Sequence, residues 1–122
     1  MRTRLLSLFM LVVASSLLVG CGGSTVPVSG TVKLKNGTPL KAGEIEFTKE
    51  GEGLAAVGQI DESGKFSLHT YGDNDGAPVG KYTVTIINAD PTINEVYLQH
   101  GTTPLKYEVP SGGATFDIEV EQ

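Results

Sequence analysis

The sequence has few of the residues on which catalysis and metal binding usually depend. It has one cysteine, two histidines and no tryptophan in 122 residues, so no intramolecular disulfide can form and packing alone must hold the fold. Both arginines, Arg2 and Arg4, precede every lysine and every acidic residue. Beyond them, seven lysines stand against fourteen acidic residues. This excess of negative charge argues against nucleic acid as a partner.

Long apolar runs are also lacking, with one exception at residues 5–18. A helix over this run would reach roughly 21 Å, short of the roughly 30 Å hydrocarbon core of a bilayer. The run follows the positive charges of Arg2 and Arg4, an order typical of a secretory signal. The sequence therefore predicts a signal peptide over residues 1–20 and no permanent membrane span.

The apolar run ends in Leu18-Val19-Gly20-Cys21, which resembles the lipobox of bacterial lipoproteins. The resemblance implies cleavage between Gly20 and Cys21, a thioether-linked diacylglycerol on the thiol, and an acyl chain such as palmitate on the new amino group. Several chains, at about 0.8 kcal/mol for each buried methylene, anchor stably where one chain would be marginal. The alternative is an ordinary signal peptide beside an unrelated cysteine.

Residues 21–25 then form a lipidated cysteine with a short Gly/Ser-rich tether. The resemblance implies a location in the cell envelope, anchored to the membrane and facing the periplasm or the exterior. Gly22 is not the aspartate that retains some lipoproteins in the inner membrane, so an outer-membrane address stays open.

Residues 26–122 alternate between apolar and polar side chains with period two, and no long amphipathic helix is predicted. Asn36-Gly37 and Ser63-Gly64 are typical of tight turns. Seven strands are predicted, near residues 26–34, 44–48, 54–60, 65–70, 81–89, 105–109 and 115–120. A long connection over 88–104 carries one predicted helical turn near 95–98. Strands at roughly ten-residue spacing favour a single all-β sandwich domain.

Several short segments resemble the carboxypeptidase regulatory-like, transthyretin-like domain, and more narrowly the short envelope lipoproteins built from one such domain. These segments lie at residues 29–32, 37–40, 43–47, 58–66, 76–84 and 103–118. The resemblance implies a seven-stranded Greek-key β-sandwich of transthyretin (prealbumin) type, and it implies no reaction. Pro78 and Gly80 bend the chain ahead of Tyr82, whose hydroxyl we expect to bond nearby backbone as in a tyrosine corner.

The sharpest candidate for chemistry is the stretch Asp73-Asn74-Asp75-Gly76. Calcium takes six to eight oxygen ligands, and Asp and Asn around a glycine turn supply several. The distal glutamate of an EF-hand loop is absent, and Asp and Asn are also the commonest turn residues. We therefore expect a solvated turn, no bound metal and no cofactor, with Asp73, Asn74 and Asp75 as the weak alternative.

Enzymatic activity is not predicted. His69 and His100 have no short spacing and no cysteine partner, so they make a poor zinc set. The residues after the predicted signal lack the arginine and the C-terminal motif of transthyretin-fold hydrolases. Intradiol dioxygenases bind iron through tyrosines together with a His-x-His motif, and this motif is absent from the sequence. The nucleophile motif Gly-x-Ser-x-Gly is absent as well. The four tyrosines available for iron are Tyr71, Tyr82, Tyr97 and Tyr107.

Acidic side chains recur at outward positions of the predicted strands and in one loop, and we expect them to form a solvated face. They are Glu44, Glu46, Glu50, Glu52, Glu119 and Glu121. The sequence thus predicts a lipid-anchored extracytoplasmic β-sandwich with a structural role or a contact to an envelope protein or glycan. The alternative is an envelope lipoprotein that binds a small ligand or calcium.

Overall fold

The structure is a computed structural model, and it describes residues 24–122. The predicted signal peptide, the Gly20–Cys21 cleavage site and the lipidated Cys21 lie outside the described residues. Those described form nine strands and one 3-10 turn: β1 Thr25–Val26, β2 Val28–Leu34, β3 Ala42–Lys49, β4 Ala55–Gln59, β5 Lys65–Ser67, β6 Ala77–Pro78, β7 Gly80–Asp90, a 3-10 turn Glu95–Leu98, β8 Lys106–Val109 and β9 Ala114–Val120. Within this range no helix is long and apolar enough to cross a membrane.

The strands form two open sheets and one short ribbon. One sheet has the order β5-β2-β9 and the other has the order β4-β3-β7-β8. β2 and β9 pair in parallel, whereas the other pairs are antiparallel. The ribbon joins β1 to β6, with Thr25 opposite Pro78. The all-β prediction is confirmed.

Alternation along the strands sends one apolar set into a core that both sheets share. On β7 the side chains of Tyr82, Val84 and Ile86 are fully buried, and on β9 those of Ile118 and Val120 are as well. Both sheets contribute to one continuous cluster of buried residues. Because each sheet is apolar on this side, burying it against the other removes both faces from water at once.

Phe47 on β3 lies at the centre of this core. Its ring lies 6.2 Å from that of Phe66 and 5.8 Å from that of Phe116, both on the other sheet. Gly30 on β2 pairs with Phe66 on one side and with Phe116 on the other. A Cβ at Gly30 would lie 2.2 Å from the Phe116 carbonyl oxygen and 2.8 Å from Phe66 Cζ. The missing side chain therefore lets aromatic rings from three strands meet above β2.

The predicted turn before β5 is present. Asp61 accepts hydrogen bonds through its carboxylate from the N–H of Ser63 at 2.8 Å and of Lys65 at 3.0 Å. Gly64 takes a φ of +81° and packs against the Val32 carbonyl, where a side chain would not fit. Phe66 therefore points into the core, as the alternation predicts.

The structure differs from the predicted strands in two places. The strand predicted over 65–70 ends at Ser67, because the chain leaves the small sheet there and His69 bridges to Val57 of β4. The second difference concerns the two-residue strands: Pro27 divides the strand predicted over 26–34 into β1 and β2, and β6 is not predicted, because two residues are too few to show a period. A strand lies at each of the other predicted positions, and the predicted helical turn is the 3-10 turn Glu95–Leu98.

Candidate functional sites

The candidate calcium loop is a turn closed by one carboxylate. Asp75 accepts hydrogen bonds from the main-chain N–H of Thr70 at 2.8 Å, Tyr71 at 3.0 Å and Gly72 at 3.2 Å. The bond from Thr70, with those from Tyr71 and Gly72, holds the pKa of the Asp75 carboxyl below its usual value. The oxygens that calcium would need from Asp75 thus already accept backbone protons.

The remaining loop ligands do not assemble a site by themselves. Asp73 is exposed, and Asn74 adopts a φ of +51°, a turn conformation that Asn tolerates. Across residues 24–122 no group of three or more His, Cys, Asp or Glu side chains lies close enough to hold a metal ion.

His69 and Asn74 come together in an open groove of about 460 Å³ beside the edges of β4 and β5. The groove is lined by Gln59, Asp61, Lys65, Phe66, Ser67, His69 and Asn74. It offers amide, hydroxyl, imidazole and charged groups of both signs, which suits a small polar ligand. The sequence does not single out Gln59 and Ser67, because they belong to different sheets. Their only signal is an outward position on an edge strand.

His100 lies against the outer face of the four-stranded sheet. Its Nε2 is 2.8 Å from Thr48 Oγ1 and 3.8 Å from Glu46 Oε1, and Thr48 donates its hydroxyl proton to Glu46 at 3.1 Å. The donor and acceptor in the contact between Thr48 and His100 are set by the tautomer of the imidazole ring. The two histidines have separate neighbours.

Tyr82, Tyr97 and Tyr107 pack in or against the core, whereas Tyr71 is exposed. Tyr82 donates its hydroxyl proton to the Pro78 carbonyl at 2.6 Å, which confirms the expected bond to nearby backbone. Burial, with smaller contributions from Glu52 and Tyr71, raises the pKa of Tyr82 to about 12. Tyr97 accepts a hydrogen bond from the Glu121 N–H at 3.1 Å, and burial raises the pKa of Tyr107.

The expectation of one acidic face is wrong. Glu44 and Glu46 lie on β3 of the four-stranded sheet, whereas Glu119 lies on β9 of the other sheet. Four of these six acids also face a lysine: Glu50 with Lys106, Glu52 with Lys49, Glu119 with Lys33 and Glu121 with Lys35. Alternation places a side chain on one side of its own strand, but it does not say which sheet the strand joins.

An apolar cleft of about 610 Å³ lies beside the C-terminal end of β7. Ile87 and Leu98 line it and are 39% and 41% exposed, respectively, while the neighbouring Ile93 is buried. Exposed apolar side chains next to a cleft mark a surface that another molecule can cover.

Comparisons with family models, with curated proteins and with solved structures find no match for this chain. Over the described range, the polar side-chain groups of Asp75, Thr48 and Tyr82 are engaged in hydrogen bonds within the fold. The accessible features are an open polar groove, an apolar cleft and the edges of the two sheets.

Proposed function

We propose that the chain is a lipid-anchored, extracytoplasmic β-sandwich of the transthyretin-like type that acts in the cell envelope by contact and without catalysis. The observation that carries the proposal is the short distance in sequence between the lipobox cysteine and the fold. β1 begins at Thr25, four residues after Cys21. A folded domain that starts directly after the acylated residue is held against the membrane that the acyl chains enter.

The sandwich type is supported by the shared core of the two open sheets. Phe47 on one sheet contacts Phe66 and Phe116 on the other, so the sheets pack through their apolar faces. The bond from the Tyr82 hydroxyl to the Pro78 carbonyl resembles the bond of a tyrosine corner, a feature of β-sandwich domains, and supports the proposed type. A Greek-key connection of seven main strands is the proposed topology.

The absence of catalysis is supported by what the candidate side chains contact. The carboxylate of Asp75 accepts from three main-chain donors, and the hydroxyl of Thr48 donates to Glu46. Groups held in this way do not combine a free nucleophile with a base at hydrogen-bond distance, which acyl or glycosyl transfer needs. Contact is the role that the remaining accessible surface supports.

The tether fixes which end of the domain lies near the membrane. Four residues span about 14 Å when fully extended, and β1 pairs with β6 just before β7 begins. We name the end that carries β1, β6 and the turns at 50–53, 70–76 and 110–113 the anchor end. The opposite end carries the turns at 35–38 and 61–64.

Metabolic labelling with palmitate tests the anchor. The wild-type protein should be labelled, cleaved before Cys21 and recovered with membranes, whereas Cys21→Ser should remain an unlabelled precursor, because the serine hydroxyl does not replace the thiol in forming the thioether. Gly23→Ser, a change of similar size two residues away, should be processed normally. Cys21→Ser protein that is cut and stays on the membrane would contradict the proposal.

A second candidate is a small-ligand or calcium-binding lipoprotein, favoured by the groove that brings His69 beside Asn74. If the groove or its turn binds calcium, the melting temperature should rise on adding calcium and should not rise in Asp73→Ala. His100→Ala, whose side chain lies on another surface, is the control. An unchanged melting temperature in the wild-type protein removes the calcium form of this candidate.

A further inference from the structure

The edge of β9 has an ordered row of main-chain groups that no described residue pairs. Ala114 N–H donates to the Pro27 carbonyl at 3.0 Å and Lys35 N–H donates to the Val120 carbonyl at 3.1 Å. In a parallel ladder these two bonds require every even-numbered residue of β9 to direct its N–H and C=O toward β2. The odd-numbered residues Thr115, Asp117 and Glu119 therefore direct theirs away from β2.

Glu121 shows that outward groups in this row do take partners where a partner is near. Its N–H donates to Tyr97 Oη at 3.1 Å, and its carbonyl accepts from the Asn94 N–H at 2.9 Å. The connection between β7 and β8 thus covers the last position of the row. β9 is the outer strand of its sheet, so between residues 24 and 122 nothing covers the preceding three odd positions.

The surface beside this edge has the alternating chemistry of a strand-binding site. On the outer side, Thr115, Asp117 and Glu119 are exposed, and Asp117 has no ion pair among the described residues. On the inner side, Phe116 and Tyr107 are only partly buried, with ring centroids 4.9 Å apart. A strand laid along β9 would alternate between the acidic row and these two rings.

We propose that β9 binds an extended segment of another envelope polypeptide by strand addition, and that this segment alternates apolar residues with lysine or arginine. The proposal rests on the contact role proposed above and names its surface and partner class. The main chain supplies the hydrogen bonds, and the side chains supply the choice of partner. Apolar residues cover Phe116 and Tyr107, while the cations meet Asp117 and Glu119.

A second copy of this chain does not fit the same edge. The antiparallel register that pairs the full length of β9 with its copy would bring Asp117 opposite itself. Like charges directly across a strand pair are destabilising, and beyond the predicted signal the chain has seven lysines against fourteen acids. The acidic side chains therefore favour pairing of this edge with a basic strand and disfavour its pairing with β9 of a second copy.

The test uses the full-length protein in detergent micelles and the synthetic peptide Lys-Val-Lys-Val-Lys-Val-Lys-Val with blocked ends. Binding should slow amide hydrogen exchange at Thr115, Asp117 and Glu119. The even-numbered amides of β9, already bonded to β2, should change little. The block peptide Lys-Lys-Lys-Lys-Val-Val-Val-Val has the same charge and composition, and it should bind at least about tenfold more weakly because it cannot alternate.

Two variants separate backbone pairing from charge. Asp117→Pro removes one outward N–H and leaves the β2 ladder intact, so affinity should fall roughly tenfold or more. The N–H groups of Phe116 and Ile118 should stay protected in this variant, which shows that β9 still forms. Asp117→Asn keeps the N–H and should weaken binding by no more than about fivefold, with a smaller dependence on salt.

The proposal is overturned by any of three results: no binding of the alternating peptide, equal affinity of Asp117→Pro and the wild-type protein, or slowed exchange elsewhere than at the odd-numbered row. A wild-type dimer that Asp117→Pro converts to a monomer would assign the edge to a second copy and also overturn it. Peptide binding does not require the lipid anchor. A Cys21→Ser result that contradicts the anchor would therefore leave the peptide-binding outcomes unaffected, and the two proposals can fail independently.

Discussion

Tyr82 lies where the chain turns into β7, and its ring and hydroxyl act on different neighbours. The ring packs 5.9 Å from that of Phe47, and the hydroxyl donates to the Pro78 carbonyl. The side chain is fully buried. One residue therefore joins the aromatic core to the β6–β7 bend, and its phenol must stay protonated to do so.

The raised pKa makes stability depend on alkaline pH. The tyrosine hydroxyl ionises near pH 10 in the unfolded chain and at about pH 12 in the fold. Between these values the unfolded state loses the proton first, so the free energy of unfolding should fall as pH rises from 10 to 12, by about 2 to 3 kcal/mol from this residue. Urea unfolding at a series of pH values measures it.

Tyr82→Phe should lack this part of the pH dependence and should be less stable at neutral pH by about 1 to 2 kcal/mol, because the Pro78 carbonyl loses its donor. Tyr71→Phe is the control, since its ring is 62% exposed. A Tyr82→Phe curve parallel to that of the wild-type protein over the alkaline range would refute the assigned role.

Residue roles can be predicted where the local sequence determines them. Pro78, Gly80 and the position of Tyr82 indicate a bend with a tyrosine after it. The role of Gly30 is different: a glycine within a strand suggests a close approach, but the approaching rings belong to Phe66 and Phe116. These lie far away in sequence, and only the pairing of β2 with both β5 and β9 brings them there.

At the scale of elements, the turn over 70–76 depends on one of its two aspartates. Asp75→Ala removes the acceptor of three main-chain bonds and should lower the melting temperature. Asp73→Ala, an exposed change two residues away, should leave it nearly unchanged. Because the pKa of the Asp75 carboxyl is lowered, its contribution is present above its ordinary pKa and is lost as pH falls through the lower folded value.

Thermal melting of both variants at neutral and at acid pH measures this difference. The gap between wild-type protein and Asp75→Ala should close in acid, when the carboxylate is protonated in both states. If Asp73→Ala is the more destabilising variant, the turn is not closed as described.

The positions of the main strands follow from sequence because each has enough residues to show its alternation. Which strands lie at the edges of the sheets, and which strands pair, does not follow from this alternation. The strand predicted over 65–70 includes His69, whereas in the structure His69 lies beyond the end of β5 and its main chain bridges to Val57 on the other sheet. The groove that joins His69 to Asn74 exists only because of that crossing, so the sequence gives no signal for it.

At the scale of the whole molecule, the parallel pairing of β2 with β9 places the first residues of both strands at the same end of the domain. Both strands start at the anchor end and run away from it for seven residues, a length of roughly 23 Å. The turn at 110–113 lies at the anchor end, where Ala114 bonds Pro27. The turn at 61–64 lies at the opposite end, where Gly64 bonds Val32.

This orientation predicts unequal access to two matched serines in the anchored protein. Ser111 and Ser63 are both exposed in turns, one at each end, and the proposed acylation of Cys21 would leave no competing thiol. In membranes, a thiol reagent on a bulky polymer should modify Ser63→Cys several times faster than Ser111→Cys, because the bilayer shields the anchor end. Dissolving the membrane in detergent should make the two rates similar. Equal rates in intact membranes would mean that the tether does not hold this end against the surface.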